Sequence, residues 1–173
     1  RVIAEVPVGT GPLGIALSPD QGRLYVANAF TNDIYVIDTQ SLGVVGIVPV
    51  GGQFPQPWAL ALNPAGTRLY VANLNLQTIP VIDTSSNDLV TTITLSGQFS
   101  SVRAITISPV NPRAYLGNGA IIDTSNNSIV QEGPLDGFAV AMSTDGTRLF
   151  VATGFQGQVL VMNPTSLALL DTV

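Results

Sequence analysis

Three sequence blocks, each recurring four times, predict an all-β chain of four repeated units. The first block, Leu17-Ser18-Pro19-Asp20, returns as Leu62-Asn63-Pro64-Ala65, Ile107-Ser108-Pro109-Val110 and Met142-Ser143-Thr144-Asp145. The second, Arg23-Leu24-Tyr25-Val26-Ala27-Asn28, returns as Arg68-Leu69-Tyr70-Val71-Ala72-Asn73, Arg113-Ala114-Tyr115-Leu116-Gly117-Asn118 and Arg148-Leu149-Phe150-Val151-Ala152-Thr153. The third, Val36-Ile37-Asp38-Thr39, returns as Val81-Ile82-Asp83-Thr84 and Ile121-Ile122-Asp123-Thr124, then decays to Val161-Met162-Asn163-Pro164. The aromatic position of the second block falls at residues 25, 70, 115 and 150, spacings of 45, 45 and 35. A period of about 40–45 residues holding four short strands is the signature of a β-propeller blade. The expectation is a propeller of about four blades, each of three to four antiparallel strands. It is either complete in itself or part of a larger or oligomeric ring.

Each unit reads the same way. In the first, Leu13 to Leu17 forms an inner strand and Pro19-Asp20-Gln21-Gly22 a turn. Arg23 to Ala27 forms a second strand, Ile34 to Ile37 a third, and Val44 to Val50 an outer fourth. β-Branched and aromatic residues fill the strands, while Gly, Pro, Asn and Asp sit between them. The Asp after each third strand (Asp38, Asp83, Asp123) is placed to bond its own backbone two residues on, an Asx turn. Tyr25, Tyr70, Tyr115 and Phe150 are expected at equivalent buried or half-buried positions. The units span about 11–51, 56–97, 101–135 and 137–173 of a single domain covering 1–173. The third is short: Asn118-Gly119-Ala120-Ile121 replaces the longer loop and strand of Asn28 to Val36, so a thin blade is expected. Val6-Pro7-Val8-Gly9 matches Val48-Pro49-Val50-Gly51, which predicts an additional outer strand over residues 2–8. Ser166-Leu167-Ala168-Leu169 matches Ser41-Leu42-Gly43-Val44, so the C-terminus competes for the same kind of slot.

Composition narrows the chemistry. Hydrophobic residues make up 46% of the 173 residues and charged residues 10%, too apolar and too weakly charged for disorder. Six basic and eleven acidic residues give a net charge of −5, and every basic residue is arginine. Such a balance is unsuited to nucleic acid. Cysteine and histidine are both absent. This excludes thiol nucleophiles, Ser-His-Asp relays, Zn–Cys and Zn–His sites and histidine-ligated haem. Apolar runs stop well short of the ~18 residues of a membrane-spanning helix. The opening Arg1-Val2-Ile3-Ala4-Glu5 shows no signal peptide and no initiator methionine, which suggests a processed protein or a fragment.

The Tyr-Val-Ala-Asn and Val-Ile-Asp-Thr blocks resemble the YVTN family of β-propeller repeat proteins, over essentially the whole chain. The resemblance implies a surface-layer or otherwise exported protein. Related propellers hydrolyse lactones or carry redox cofactors.

Candidate site residues follow from the blade geometry. The residue entering each inner strand varies: Leu13, Trp58, Arg103 and Phe138. Propellers bind ligands at this end of the central channel, and an Arg flanked by Trp and Phe suits an anionic or planar ligand. The alternative is that these four plug the channel. The small residues Gly14/Ala16, Ala59/Ala61, Ala104/Thr106 and Ala139/Ala141 read as packing where inner strands crowd the axis. Arg23, Arg68, Arg113 and Arg148 open strand two in every unit, which points to bonding of turn carbonyls or of Asp20 and Asp145. Asp33, Asp83, Asp88, Asp123 and Asn87 supply oxygen atoms, without the density of a calcium loop. Asn126-Asn127-Ser128 is a formal glycosylation acceptor in a turn. No catalytic residue, metal ligand or cofactor is assigned.

The functional expectation is a non-catalytic structural or interaction propeller of an exported, periplasmic or cell-surface protein, self-associating through strand edges. Its partners would be copies of itself, further blades of a longer chain or another protein. The alternative is a small-molecule-binding or enzymatic propeller with its site at the channel mouth.

Overall fold

The structure is a computed structural model that describes residues 1–52, 55–96, 101–133, 135–154 and 156–173. Sixteen strands form four antiparallel sheets of four, each in chain order from the innermost strand outward. The first sheet holds β1 (Pro12–Leu17), β2 (Arg23–Asn28), β3 (Asp33–Asp38) and β4 (Val44–Pro49). The second holds β5 (Pro57–Leu62), β6 (Arg68–Asn73), β7 (Thr78–Asp83) and β8 (Leu89–Thr94). The third holds β9 (Ile105–Ile107), β10 (Arg113–Leu116), β11 (Ile121–Asp123) and β12 (Ser128–Gln131). The fourth holds β13 (Gly137–Met142), β14 (Leu149–Thr153), β15 (Gln158–Met162) and β16 (Leu169–Thr172). These are propeller blades, and the short strands of the third make it the thin one. Residues 97, 134 and 155 of the expected units lie outside the described residues. Among the described residues no helix is long and apolar enough to cross a membrane.

Blade stacking follows one rule. Each blade presents its strand-two aromatic, together with apolar residues of strands two, three and four, to the next blade. The next blade answers with apolar residues of its own inner, second and third strands. Tyr25, Ala27, Ile34, Val36 and Val48 of blade one thus meet Leu60, Leu69, Val71 and Ile82 of blade two. Tyr70, Ala72, Ile79 and Val81 meet Ile105, Ala114, Leu116 and Ile122. Tyr115 and Ile121 meet Leu149, Val151 and Met162. Three apolar cores between four blades replace one central core. Tyr25, Tyr70 and Tyr115 are fully buried, and Phe150 is half-buried.

Inner strands approach closely enough that small residues become obligatory. A Cβ on Gly14 in β1 would lie 2.6 Å from the Trp58 carbonyl oxygen of β5, and one on Gly117, just after the second strand β10, would lie 2.3 Å from the carbonyl oxygen of Gly137 at the start of β13. No real Cβ sits that near a backbone oxygen, so packing at the axis explains these glycines. Successive inner strands β1, β5, β9 and β13 pack side by side, and β13 makes no comparable contact with β1. The four blades therefore form an open arc.

Residues 2–8 depart from expectation: they carry no strand. The slot their sequence matches, outside a third strand, is already filled in every sheet by β4, β8, β12 or β16. An extended segment without a ladder partner stays unpaired.

Candidate functional site

Three of the four expected channel-mouth residues sit at a recurring bulge. In blade one, Pro12 pairs with Asn28 and Gly14 with Ala27, leaving Leu13 as the extra residue. Trp58 is skipped in the same way between Pro57 and Ala59, and Phe138 between Gly137 and Ala139. Arg103 holds the corresponding place just before β9, next to Ala104, whose carbonyl accepts the Gly117 amide. A bulge breaks the ladder and re-aims one side chain. Here it sets apart the variable residue at the start of the inner strand in blades one, two and four.

Two of the four come together. The Arg103 guanidinium carbon sits 4.5 Å from the centroid of the Phe138 ring, a cation–π contact. Arg103 Nη1 also lies 3.9 Å from Asp136 Oδ1, a long ion pair on an exposed carboxylate. A Cβ on Gly154 would collide with the Phe138 ring at 2.1 Å, so the ring lies flat between the guanidinium and the Gly154 backbone. Trp58 is half-buried on the neighbouring β5, while Leu13 (48% exposed) and Phe138 (41% exposed) face solvent. The arrangement offers an arginine fixed by stacking, with donors beyond its single weak ion pair. That suits an anion or a flat ring.

The opposite, turn-bearing rim uses its charges internally. Asp38 Oδ1 accepts from the Gln40 amide at 3.2 Å, the Ser41 amide at 2.9 Å and the Ser41 hydroxyl at 2.9 Å. Asp83 and Asp123 make the same Asx turns onto Ser85 and Ser125. These bonds, more than any nearby arginine, hold the carboxyl groups below the ordinary value, Asp83 at about 2. Asp20 is lowered by the Ser18 hydroxyl and the Gly22 amide. Asp145 is lowered to about 2 by Ser143 and Thr147.

Two of the strand-two arginines, Arg23 and Arg68, find other partners than Asp20 and Asp145. Arg23 pairs across the ladder with Asp38 at 3.3 Å, and Arg68 with Asp83 at 2.5 Å, because positions 23 and 38, and 68 and 83, are direct cross-strand neighbours. Arg68 also donates to the Thr67 carbonyl at 2.9 Å, as expected of a turn-bonding arginine. No group of three or more Asp and Glu residues gathers among the described residues. The bulge itself was missed by sequence reading. Its signal was a variable residue between a strand's first position and its small-residue run.

Comparison with known proteins places this arc. Over 99% of its length it superimposes on Kuenenia stuttgartiensis hydrazine synthase, with a TM-score of 0.83 and 25% identity, covering 52% of that chain. It matches U3-55K with a TM-score of 0.80 and 15% identity, covering 95% of this chain and 52% of that one. It matches the β-propeller domain of Myceliophteria thermophila Cps50 (Swd1) with a TM-score of 0.81 and 12% identity, covering 100% and 57%. The chain thus spans about half the length of these structures and resembles part of a larger propeller. No curated protein sequence matches it significantly. Residues 4–113, well over half the chain, match the family model described as lactonase, 7-bladed beta-propeller. With the blade architecture and this match in hand, the chain belongs to the lactonase, 7-bladed β-propeller family.

Proposed function

We propose that this chain is a non-catalytic interaction segment of an exported or cell-surface propeller of YVTN type, associating with other chains through its strand edges. The observation that carries this reading is the N-terminal segment. It has an outer-strand sequence, it lies in no sheet, and it leaves Val2 73% and Ile3 94% exposed. The outer strand β16, exposed at all four residues, offers an edge with a single charge, Asp171. Edges of this kind are normally blunted by charges, bulges or a cover. The YVTN assignment is supported by Tyr25 to Asn28 and Tyr70 to Asn73, which fill β2 and β6 and bury both tyrosines. Low charge supports an exported scaffold. The non-catalytic part is supported by Asp38, Asp83, Asp123 and Asp145, whose carboxylates are engaged by turn donors and leave little room for acid–base work.

Two measurements on the purified chain test the reading. Light scattering before and after deletion of residues 1–8 reports edge association; unchanged mass and stability would remove the strand-edge role. A panel of lactones and aryl esters should give no turnover above buffer. Turnover that survives purification and disappears on substitution of one aspartate would establish an enzyme instead.

A further inference from the structure

We infer that Asn126 is an acceptor for an N-linked oligosaccharide. This rests on the reading of the chain as an exported protein. Of the asparagines in the sequence, Asn126 alone meets the acceptor pattern, Asn-X-Ser/Thr with X other than proline. Asn163-Pro164-Thr165 fails at its proline, and Asn163 Oδ1 is taken by the Thr165 and Ser166 amides. Asn126 lies in the turn from β11 to β12. Asp123 Oδ1 accepts from the Ser125 amide at 2.8 Å, and Asn126 Oδ1 accepts from the Ser128 amide at 2.9 Å. The second bond folds the acceptor triplet itself into an Asx turn. Both bonds are local, so the turn needs no other blade to form.

The fold does not ask for asparagine here. In the corresponding turns Ser41, Ser86 and Ser166 make the same bond, accepting from the Gly43, Asp88 and Ala168 amides at 3.3–3.4 Å. What Asn126 adds is its amide nitrogen, Nδ2, which makes no hydrogen bond among the described residues. The next residue does the anchoring: Asn127 Oδ1 receives the Tyr70 hydroxyl of blade two at 2.8 Å. Asn126 and Ser128 are both exposed. Blade three has blades two and four on either side, so this exposure does not come from an end of the chain. An oligosaccharide on Nδ2 would leave every inter-blade core intact. The donor is an oligosaccharide carried on a polyprenyl diphosphate. The bond from Nδ2 to the sugar C1 forms as the C1–O bond to the diphosphate breaks. Polyprenyl diphosphate leaves with the bonding pair, a base of the transferase takes the Nδ2 proton, and nothing is oxidised or reduced.

The test delivers the full 173-residue chain, behind a cleavable leader, to a secretory lumen that holds an Asn-X-Ser/Thr transferase and its donor. Intact mass is then read, and loss of the leader in the same spectrum shows delivery. The wild type should exceed its 18.0 kDa by one oligosaccharide. A peptide-N-glycosidase should remove that mass and convert Asn126 to aspartate. Asn126→Gln and Ser128→Ala should abolish the added mass, and Ser128→Thr should keep it. Asn126→Ser, the choice of the other three turns, should abolish it with circular dichroism and unfolding midpoint unchanged. A leader-free wild type without added mass, or added mass that persists in Asn126→Gln, would overturn the inference. Loss of folding in Asn126→Ser would overturn the claim that asparagine is present for its free amide. Because the leader supplies delivery, an unmodified chain counts against the site, whereas a native chain missing from secreted and surface fractions counts against the export reading alone.

Discussion

Replacing Tyr115 by phenylalanine isolates the contact that ties one blade to the next. The Tyr115 hydroxyl donates to the Pro164 carbonyl of blade four at 3.0 Å, with both residues buried. Removing the hydroxyl leaves that carbonyl dry and unpaired, so the cost is the desolvation of an acceptor, about 1–3 kcal/mol. Tyr70 provides the milder case. Its hydroxyl lies 2.8 Å from Asn127 Oδ1 and 3.2 Å from the Thr124 carbonyl, on a rim where both residues are only half-buried. Water can replace the lost donor there, and Tyr70→Phe should cost about 1 kcal/mol, the net worth of one hydrogen bond. Phe150→Tyr adds a hydroxyl at a half-buried position with no carbonyl acceptor seated on it among the described residues and should change stability by less than about 0.5 kcal/mol. Equilibrium unfolding in guanidinium at constant m-value reads all three. If Tyr115→Phe costs no more than about 0.5 kcal/mol, or Phe150→Tyr stabilises as much as Tyr115→Phe destabilises, the hydroxyls are not inter-blade ties.

Three further outcomes follow from the geometry. Gly117→Ala should destabilise by about 1–3 kcal/mol, the cost of overpacking against backbone, since its Cβ would meet the Gly137 carbonyl; a neutral result in denaturant unfolding would show that the start of β13 can move away from the end of β10. Leu42 sits at φ 57° in the turn where Asn87 and Asn127 hold the same left-handed conformation. Leu42 is 44% exposed, so relief of the left-handed strain should outweigh the burial it loses and Leu42→Asn should stabilise by about 0.5–1 kcal/mol, and a lower unfolding midpoint would refute the strain. Asp83 and Asp145 are held at about 2 against 3.8, with Asp20, Asp38 and Asp123 lowered in the same direction. The unfolded chain binds protons first, so their contribution is complete above about pH 4 and drains away as pH falls toward 2. Tyr70, pushed up to about 12 by burial, contributes below pH 10 and loses that contribution as pH rises toward 12. An unfolding midpoint that stays flat from pH 4 to 2 would refute the carboxylate argument.

Much of this architecture was legible because a propeller repeats its instructions. The blocks around Tyr25 and Ile37 set two strands and an Asx turn, and four copies expose the period without any alignment. The thin third blade was legible too, as a deletion after Asn118. What stayed hidden depends on neighbours across the ladder. Arg23 pairs with Asp38, fifteen residues away, because register puts them opposite each other, while Asp20, only three residues off, is consumed by its own turn. The bulge at Leu13, Trp58 and Phe138 was hidden for the same reason: an extra residue shows only when both strands are seen. Residues 2–8 read as a strand because they have a strand's composition, but a strand exists only beside a partner.

Repetition also separates what the fold requires from what it leaves free. Tyr25, Tyr70 and Tyr115 recur because each fills the same inter-blade core. Asp38, Asp83 and Asp123 recur because each closes the same turn. Leu13, Trp58, Arg103 and Phe138 occupy one equivalent place and share neither size nor charge, so packing does not dictate their identity. At Leu13, Trp58 and Phe138 the same bulge recurs while its side chain changes. Among the four, Arg103 carries the charge, stacked on Phe138 and only weakly engaged by Asp136.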